Sequence, residues 1–152
     1  MWVHRRMWIA KPASRCMMRA RKGLSVTTTP PLEGCRVLVV EDDYLIADEL
    51  SHHLMDQGAE VIGPLGQFDD ALSQVRHDGF DLAVLDINLH GQKSFPIADE
   101  LRRQGVPFVW ATAYAAREIP DRFAGVPLWE KPYDERALVR DVQRLCVGCR
   151  TA

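Results

Sequence analysis

A chain of 152 residues has room for one domain, or for one domain and a tail, and its apolar content of 47% is ordinary for a globular protein. The net charge of -2 hides an asymmetry: residues 1–32 hold seven Lys/Arg and no Asp/Glu, leaving 12 basic and all 21 acidic groups to the rest, a net of -9. That acidity excludes a nucleic-acid-binding surface on the globular part, and the lack of any run of 18 apolar residues excludes a transmembrane helix.

Residues 1–33 read as a disordered basic tail or an upstream start codon read too early, in preference to an Arg-rich, acid-poor transit-like segment, closing in the linker-like Thr-Thr-Thr-Pro-Pro, and residues 34–149 read as the domain. The N-terminus lacks the continuous apolar core of a secretory signal, so a cytoplasmic location is expected. Four cysteines do not suggest a disulfide framework. Cys146 and Cys149 form a lone CxxC without the second ligand pair of a zinc site, and they read as helix-end residues in a reducing compartment.

From Cys35 onward the pattern is regular. "RVLVV" is an apolar, β-branched strand. "DYLIADELSHHLMDQG" is a helix with Ile46, Leu50 and Leu54 at i, i+4, i+8, Ala47 on the same side and Gly58 as its stop. "AEVIG" is a short strand and "FDDALSQVRHDG" a short helix ending at Gly79. "DLAVLD" is a third strand. "SFPIADELRRQG" is a helix with Pro96 in its first turn and Gly105 at its end. "VPFVWAT" is a fourth strand, and "AAREIPDRFAG" is broken by Pro120, leaving a poor, short fourth helix. "VPLWEKP" is a fifth strand. "DERALVRDVQRLC" is the last helix, capped by Asp134, with Leu138, Val142 and Leu145 on one face. Five strands alternating with helices imply an α/β fold with a parallel sheet covered on both faces, and the uninterrupted runs "VLVV", "LAVL" and "PFVW" suit strands buried on both sides.

In such a sheet the strand C-termini share one edge, and ligands bind outside it. Glu41, Asp42 and Asp43 follow the first strand, and Asp86 and Asn88 the third. Thr112 ends the fourth, and Lys131 and Pro132 follow the fifth. Taken singly, a strand-end Asp is a turn residue and an acidic pair suits a helix N-terminus. Together they gather carboxylates, a hydroxyl and an ammonium on one patch. Clustered carboxylates repel one another, and a hard cation such as Mg²⁺ relieves that conflict through oxygen ligands. The hydroxyl and ammonium suit phosphoryl oxygens, and a carboxylate can accept a phosphoryl group covalently.

The strings "VLVVEDD", "LAVLDINLHG", "WATAY" and "EKPYD", in that order, resemble the receiver domain of two-component response regulators, over about Gly34 to Val147. The resemblance implies a flavodoxin-like, doubly wound (βα)5 fold with five parallel strands in order 2-1-3-4-5 and a shortened fourth helix. It makes Asp86 the phosphoryl acceptor. Mg²⁺ would be held by Asp42 directly, Glu41 partly through water, Asp86, and the backbone carbonyl of Asn88. Thr112 corresponds to the hydroxyl that shifts toward the phosphoryl group and Lys131 to its cationic partner, with a cis peptide before Pro132. Asp43 falls to capping the first helix. The pattern departs at the switch aromatic, where Leu128 and Trp129 stand three and two residues before Lys131. With its broken fourth helix the chain is instead similar to the FAT GUY subgroup of stand-alone receivers, although Trp110 and Ala113 replace the favoured Phe and Gly.

The resemblance further implies a single-domain regulator, since four residues remain after position 148, working as a monomer or weak dimer without enzymatic output. Its implied partner is a sensor histidine kinase, often of the HWE type, or a histidine phosphotransfer protein, docking near Leu45, Glu49, His52 and His53 on the first helix. Two other classes compete. A haloacid-dehalogenase-like phosphatase would want a second Asp at position 88, where Asn88 stands. A binding module that is never phosphorylated would have no need of the acceptor and acidic pair. Asn88 and Tyr114 occupy positions that tune phosphate lifetime in the family.

Overall fold

The computed structural model describes residues 29–151, with side chains through residue 147. Of the expected tail, only 29–33 fall within the described residues. Leu32 there is fully buried, and its N–H donates to the Gln57 carbonyl at 2.8 Å, so the packed unit begins ahead of Gly34.

Five strands, β1 (Arg36–Val40), β2 (Glu60–Leu65), β3 (Leu82–Leu85), β6 (Phe108–Thr112) and β7 (Leu128–Glu130), form one parallel sheet in the order β2-β1-β3-β6-β7. This is the expected 2-1-3-4-5 arrangement once a two-strand hairpin, β4 (Asn88–Leu89) with β5 (Gln92–Lys93), is set aside. The hairpin is not foreseen from the sequence pattern. His90 and Gly91 form its turn with φ of 49° and 88°, the two positive values that a two-residue hairpin needs to match the twist of its strands.

The four helices are α1 (Tyr44–Asp56), α2 (Phe68–His77), α3 (Phe95–Gln104) and α4 (Glu135–Thr151). The strand pleat divides the core into two layers. Leu38, Val40, Ala83, Leu85, Phe108 and Trp110 face Val75 of α2 and Ile97 and Leu101 of α3. The alternate residues, Val37, Val39, Leu82, Val84, Val109 and Ala111, face Leu50 and Leu54 of α1 and Leu138 and Val142 of α4. Every residue of β3 and β6 is buried, whereas the edge strands β2 and β7 are partly exposed. In α1, Ala47 enters the core and Ile46 sits at its margin. Asp43 caps α1, accepting from the N–H groups of Leu45 and Ile46 at 3.0 and 3.3 Å.

The stretch expected as a poor fourth helix forms two short 3₁₀ turns, Ala116–Glu118 and Asp121–Phe123, on either side of Pro120. It is fastened to α3. The Arg122 guanidinium donates to both carboxylate oxygens of Asp99, at 2.9 and 3.1 Å, and lies 4.6 Å from the centre of the Phe123 ring.

The cysteines depart from expectation. Cys35 and Cys146 are joined as a disulfide, Cα–Cα 6.3 Å, across 111 residues of chain. In a parallel α/β sheet each helix runs back toward the strand starts. The end of α4 therefore returns to the edge where β1 begins, a proximity that spacing along the sequence does not reveal.

Candidate functional site

The site is built by strand ends. Glu41 directly follows β1, Asp86 follows β3, Thr112 ends β6 and Lys131 follows β7. Glu41, Asp86 and Thr112 are buried. Carboxylate oxygens of Glu41, Asp42 and Asp86 all lie within 4.8 Å of one another. Between two of them sits one ammonium: Lys131 Nζ is 2.7 Å from Glu41 Oε2 and 2.8 Å from Asp86 Oδ2. Three carboxylates and one cation leave an excess of negative charge in a poorly hydrated pocket, the donor set that a hard divalent cation fits.

The electrostatics follow from burial. Loss of hydration pushes Glu41 up to about 7, against the pull of its hydrogen bonds from Lys131 and the Asp43 N–H. Burial also opposes the charge on Lys131, but hydrogen bonds to Asp86 and Glu41 outweigh it and hold the lysine above its ordinary value. The Lys131–Pro132 peptide is cis, as expected.

Around this centre the backbone is closely held. The Asn88 N–H lies 3.4 Å from Asp86 Oδ1, the oxygen that Lys131 does not take, so the start of β4 borders the pocket. Thr112 Oγ1 accepts the Tyr114 N–H at 3.3 Å. Several contributors carry no signal in the sequence. Ser94, fully buried, donates its hydroxyl to the Asp86 carbonyl oxygen and its N–H to the Ile87 carbonyl, which pins the loop after β3. His90 donates its N–H to Asp42 Oδ2 at 2.8 Å, tying the hairpin to the acidic pair. Lys93 Nζ stands 3.3 Å above the Tyr114 ring, so the loops after β3 and β6 are bridged across the pocket's flank. The Tyr133 hydroxyl is buried without a hydrogen-bond partner among the described residues. Its proton is held more tightly than usual by burial and then by the negative charge of Glu41.

Residues 37–143 match the response regulator receiver domain family. The chain belongs to that family. The receiver is 32% identical over 119 residues to the sensory transduction protein LytT of Bacillus cereus, an alignment covering 72% of this chain and 46% of LytT. It spans about half the length of the curated relatives it matches. The solution structure of SdrG from Sphingomonas melonis Fr1 is 33% identical, with a TM-score of 0.65, covering 76% of this chain and 97% of SdrG. TrrA of Thermotoga maritima, solved in complex with Mg²⁺ and BeF, is 27% identical with a TM-score of 0.63, covering 73% of this chain and 98% of TrrA. The chain is thus a response regulator receiver domain of a two-component system.

Leu128 and Trp129, which stand where the resemblance expects a switch aromatic, pack on opposite sides of the sheet. Leu128 packs against the core layer that holds Trp110, its neighbour across the β6–β7 ladder. Trp129 faces the opposite layer, and its Nε1 donates to Asp141 of α4 at 3.0 Å. On α1, Leu45 is 75% exposed, Glu49 and His52 are exposed and His53 is half-buried. Tyr44, beside Leu45 and not among the expected docking residues, is 74% exposed. Among the described residues no helix is long and apolar enough to cross a membrane.

Proposed function

We propose that Asp86 accepts a phosphoryl group from the phosphohistidine of a sensor histidine kinase, or of a histidine phosphotransfer protein, in the cytoplasm. The observation that carries this reading is the one ammonium, Lys131, held between Asp86 and Glu41 inside a three-carboxylate cluster. Lys131 takes Asp86 Oδ2 and leaves Oδ1 with only a long contact to the Asn88 N–H, so Oδ1 is the oxygen free to attack. In the transfer a P–O bond to Asp86 forms, the P–N bond breaks, and its electron pair stays on the imidazole nitrogen. Lys131 and the Thr112 hydroxyl then face the new phosphoryl oxygens. Mg²⁺ suits the pocket; Glu41, Asp42, Asp86 and the Asn88 carbonyl would hold it. When bound, it neutralises charge on the phosphoryl oxygens.

The partner docks on the exposed start of α1, at Leu45, Glu49, His52 and His53, with Tyr44 extending the apolar part of that face. The broken fourth helix and the lack of an aromatic at position 128 support placement in the FAT GUY subgroup, and with it a kinase of the HWE type. A phosphatase of the haloacid dehalogenase class is disfavoured, because position 88 offers an amide where an acid–base carboxylate is needed. Phosphotransfer profiling against a panel of autophosphorylated kinases tests the reading. Rapid label transfer from one or a few HWE kinases, weakened by Leu45→Ala and Tyr44→Ala, is expected. Transfer from none, or transfer indifferent to both substitutions, would contradict the partner and the docking face respectively.

A further inference from the structure

We propose that Cys35 and Cys146 are a reversible redox pair that locks the last helix to the first strand. Both side chains are at most 1% exposed and lie in the same core layer, between β1 and α4. Their Cα–Cα distance of 6.3 Å falls within the range that a disulfide spans without moving the backbone. The bond closes 111 residues of chain, from just before β1 to the end of the domain. A cross-link over so long a loop removes much of the freedom of the unfolded chain, so its redox state acts strongly on stability. It also acts on α4 from the end opposite the Lys131 loop, where Asp141 already ties the helix to Trp129. No step of the phosphoryl reading uses this pair.

The burial of both sulfurs selects the oxidant. Burial denies a protein oxidoreductase the exposed thiol face it must dock on, whereas a small peroxide needs only slight local opening around the pair. Two thiols and one hydrogen peroxide give one disulfide and two waters. The first thiolate is oxidised to a sulfenic acid, and the second displaces its oxygen as water. A dithiol reverses this in two exchange steps, restoring both thiols and becoming a cyclic disulfide itself.

The test uses the full chain, purified reduced, then divided between hydrogen peroxide and dithiothreitol. Each half is alkylated, mapped by peptide mass and melted thermally. The expected result is a Cys35–Cys146 linked peptide only in the peroxide sample. The melting temperature there is expected about 10 °C above the reduced form, and dithiothreitol should return it under native conditions. Cys35→Ser and Cys146→Ser should melt alike in both conditions. Should either fail to fold, the Cys16→Ser/Cys149→Ser chain keeps the pair and must show the full shift. Free thiols after peroxide, a Cys146–Cys149 link, equal melting in both states, or a bond that resists native reduction would each overturn the proposal. None of these readouts involves phosphate, so failure here and failure at Asp86 are separable.

Discussion

Lys131 contacts Glu41 and Asp86 at 2.7 and 2.8 Å, and both carboxylates are buried. Removing the ammonium leaves the buried Asp86 carboxylate, and Glu41 to the extent that it is ionised, without a counter-charge. Lys131→Ala is therefore expected to lower stability by roughly 2–3 kcal/mol in metal-free buffer, discounted for the lysine's partial exposure, as read from the urea midpoint. Glu41 gives a pH signature. Its ionisation moves from 4.5 up to about 7, so the folded state binds its proton more tightly than the unfolded state does. Its contribution to stability is full below pH 4.5 and is lost as pH rises through about 7. A cation needs the ionised form. Mg²⁺ affinity is therefore expected to weaken by up to about tenfold per unit as pH falls below 7, and to flatten above it. Tryptophan-fluorescence titrations with Mg²⁺ from roughly pH 5.5 to 8.5 measure this as a single inflection. Glu41→Gln should bind more weakly and lose that inflection.

At the scale of elements, the loop after β3 decides where Asp86 points. Ser94 stands at the N-cap of α3 yet makes no cap bond; its hydroxyl goes to the Asp86 carbonyl instead. Ser94→Ala leaves that buried carbonyl one donor short and is expected to cost about 1–2 kcal/mol by thermal unfolding. This role was illegible in the sequence, because only the fold of the loop after β3 brings the Ser94 hydroxyl to the Asp86 carbonyl. The hairpin was hidden for a similar reason, since His90-Gly91 is a weaker turn signal than Asn-Gly. What could be read was the edge. A parallel sheet places every strand C-terminus on one side, so chain order alone brought Glu41, Asp86, Thr112 and Lys131 together. The contacts that depend on chain ends could not be read in this way. Leu32 was masked by the basic composition around it, and Cys35 meets Cys146 only because α4 returns to the start of β1.

Across the whole molecule, the two halves of the core are unequal in what they carry. The α2–α3 side is braced by Arg122 on Asp99 and by the cluster of Phe95, Phe108, Trp110 and Phe123, with ring centres 5.2–6.2 Å apart. That bracing holds the 3₁₀ segment against α3. The α1–α4 side carries the exposed Tyr44 and Leu45 at the start of α1, two and three residues after Asp42 of the carboxylate cluster, so the proposed docking face adjoins the proposed phosphoryl site. The most direct measurement is intact-mass spectrometry of the receiver incubated with Mg²⁺ and a small phosphodonor such as acetyl phosphate, beside Asp86→Asn and Asp86→Ala. The wild-type chain is expected to gain one phosphoryl group, lost on base treatment as an acyl phosphate is, while both variants gain none. Equal labelling of either variant, or a base-stable adduct on another residue, would contradict the assignment of Asp86.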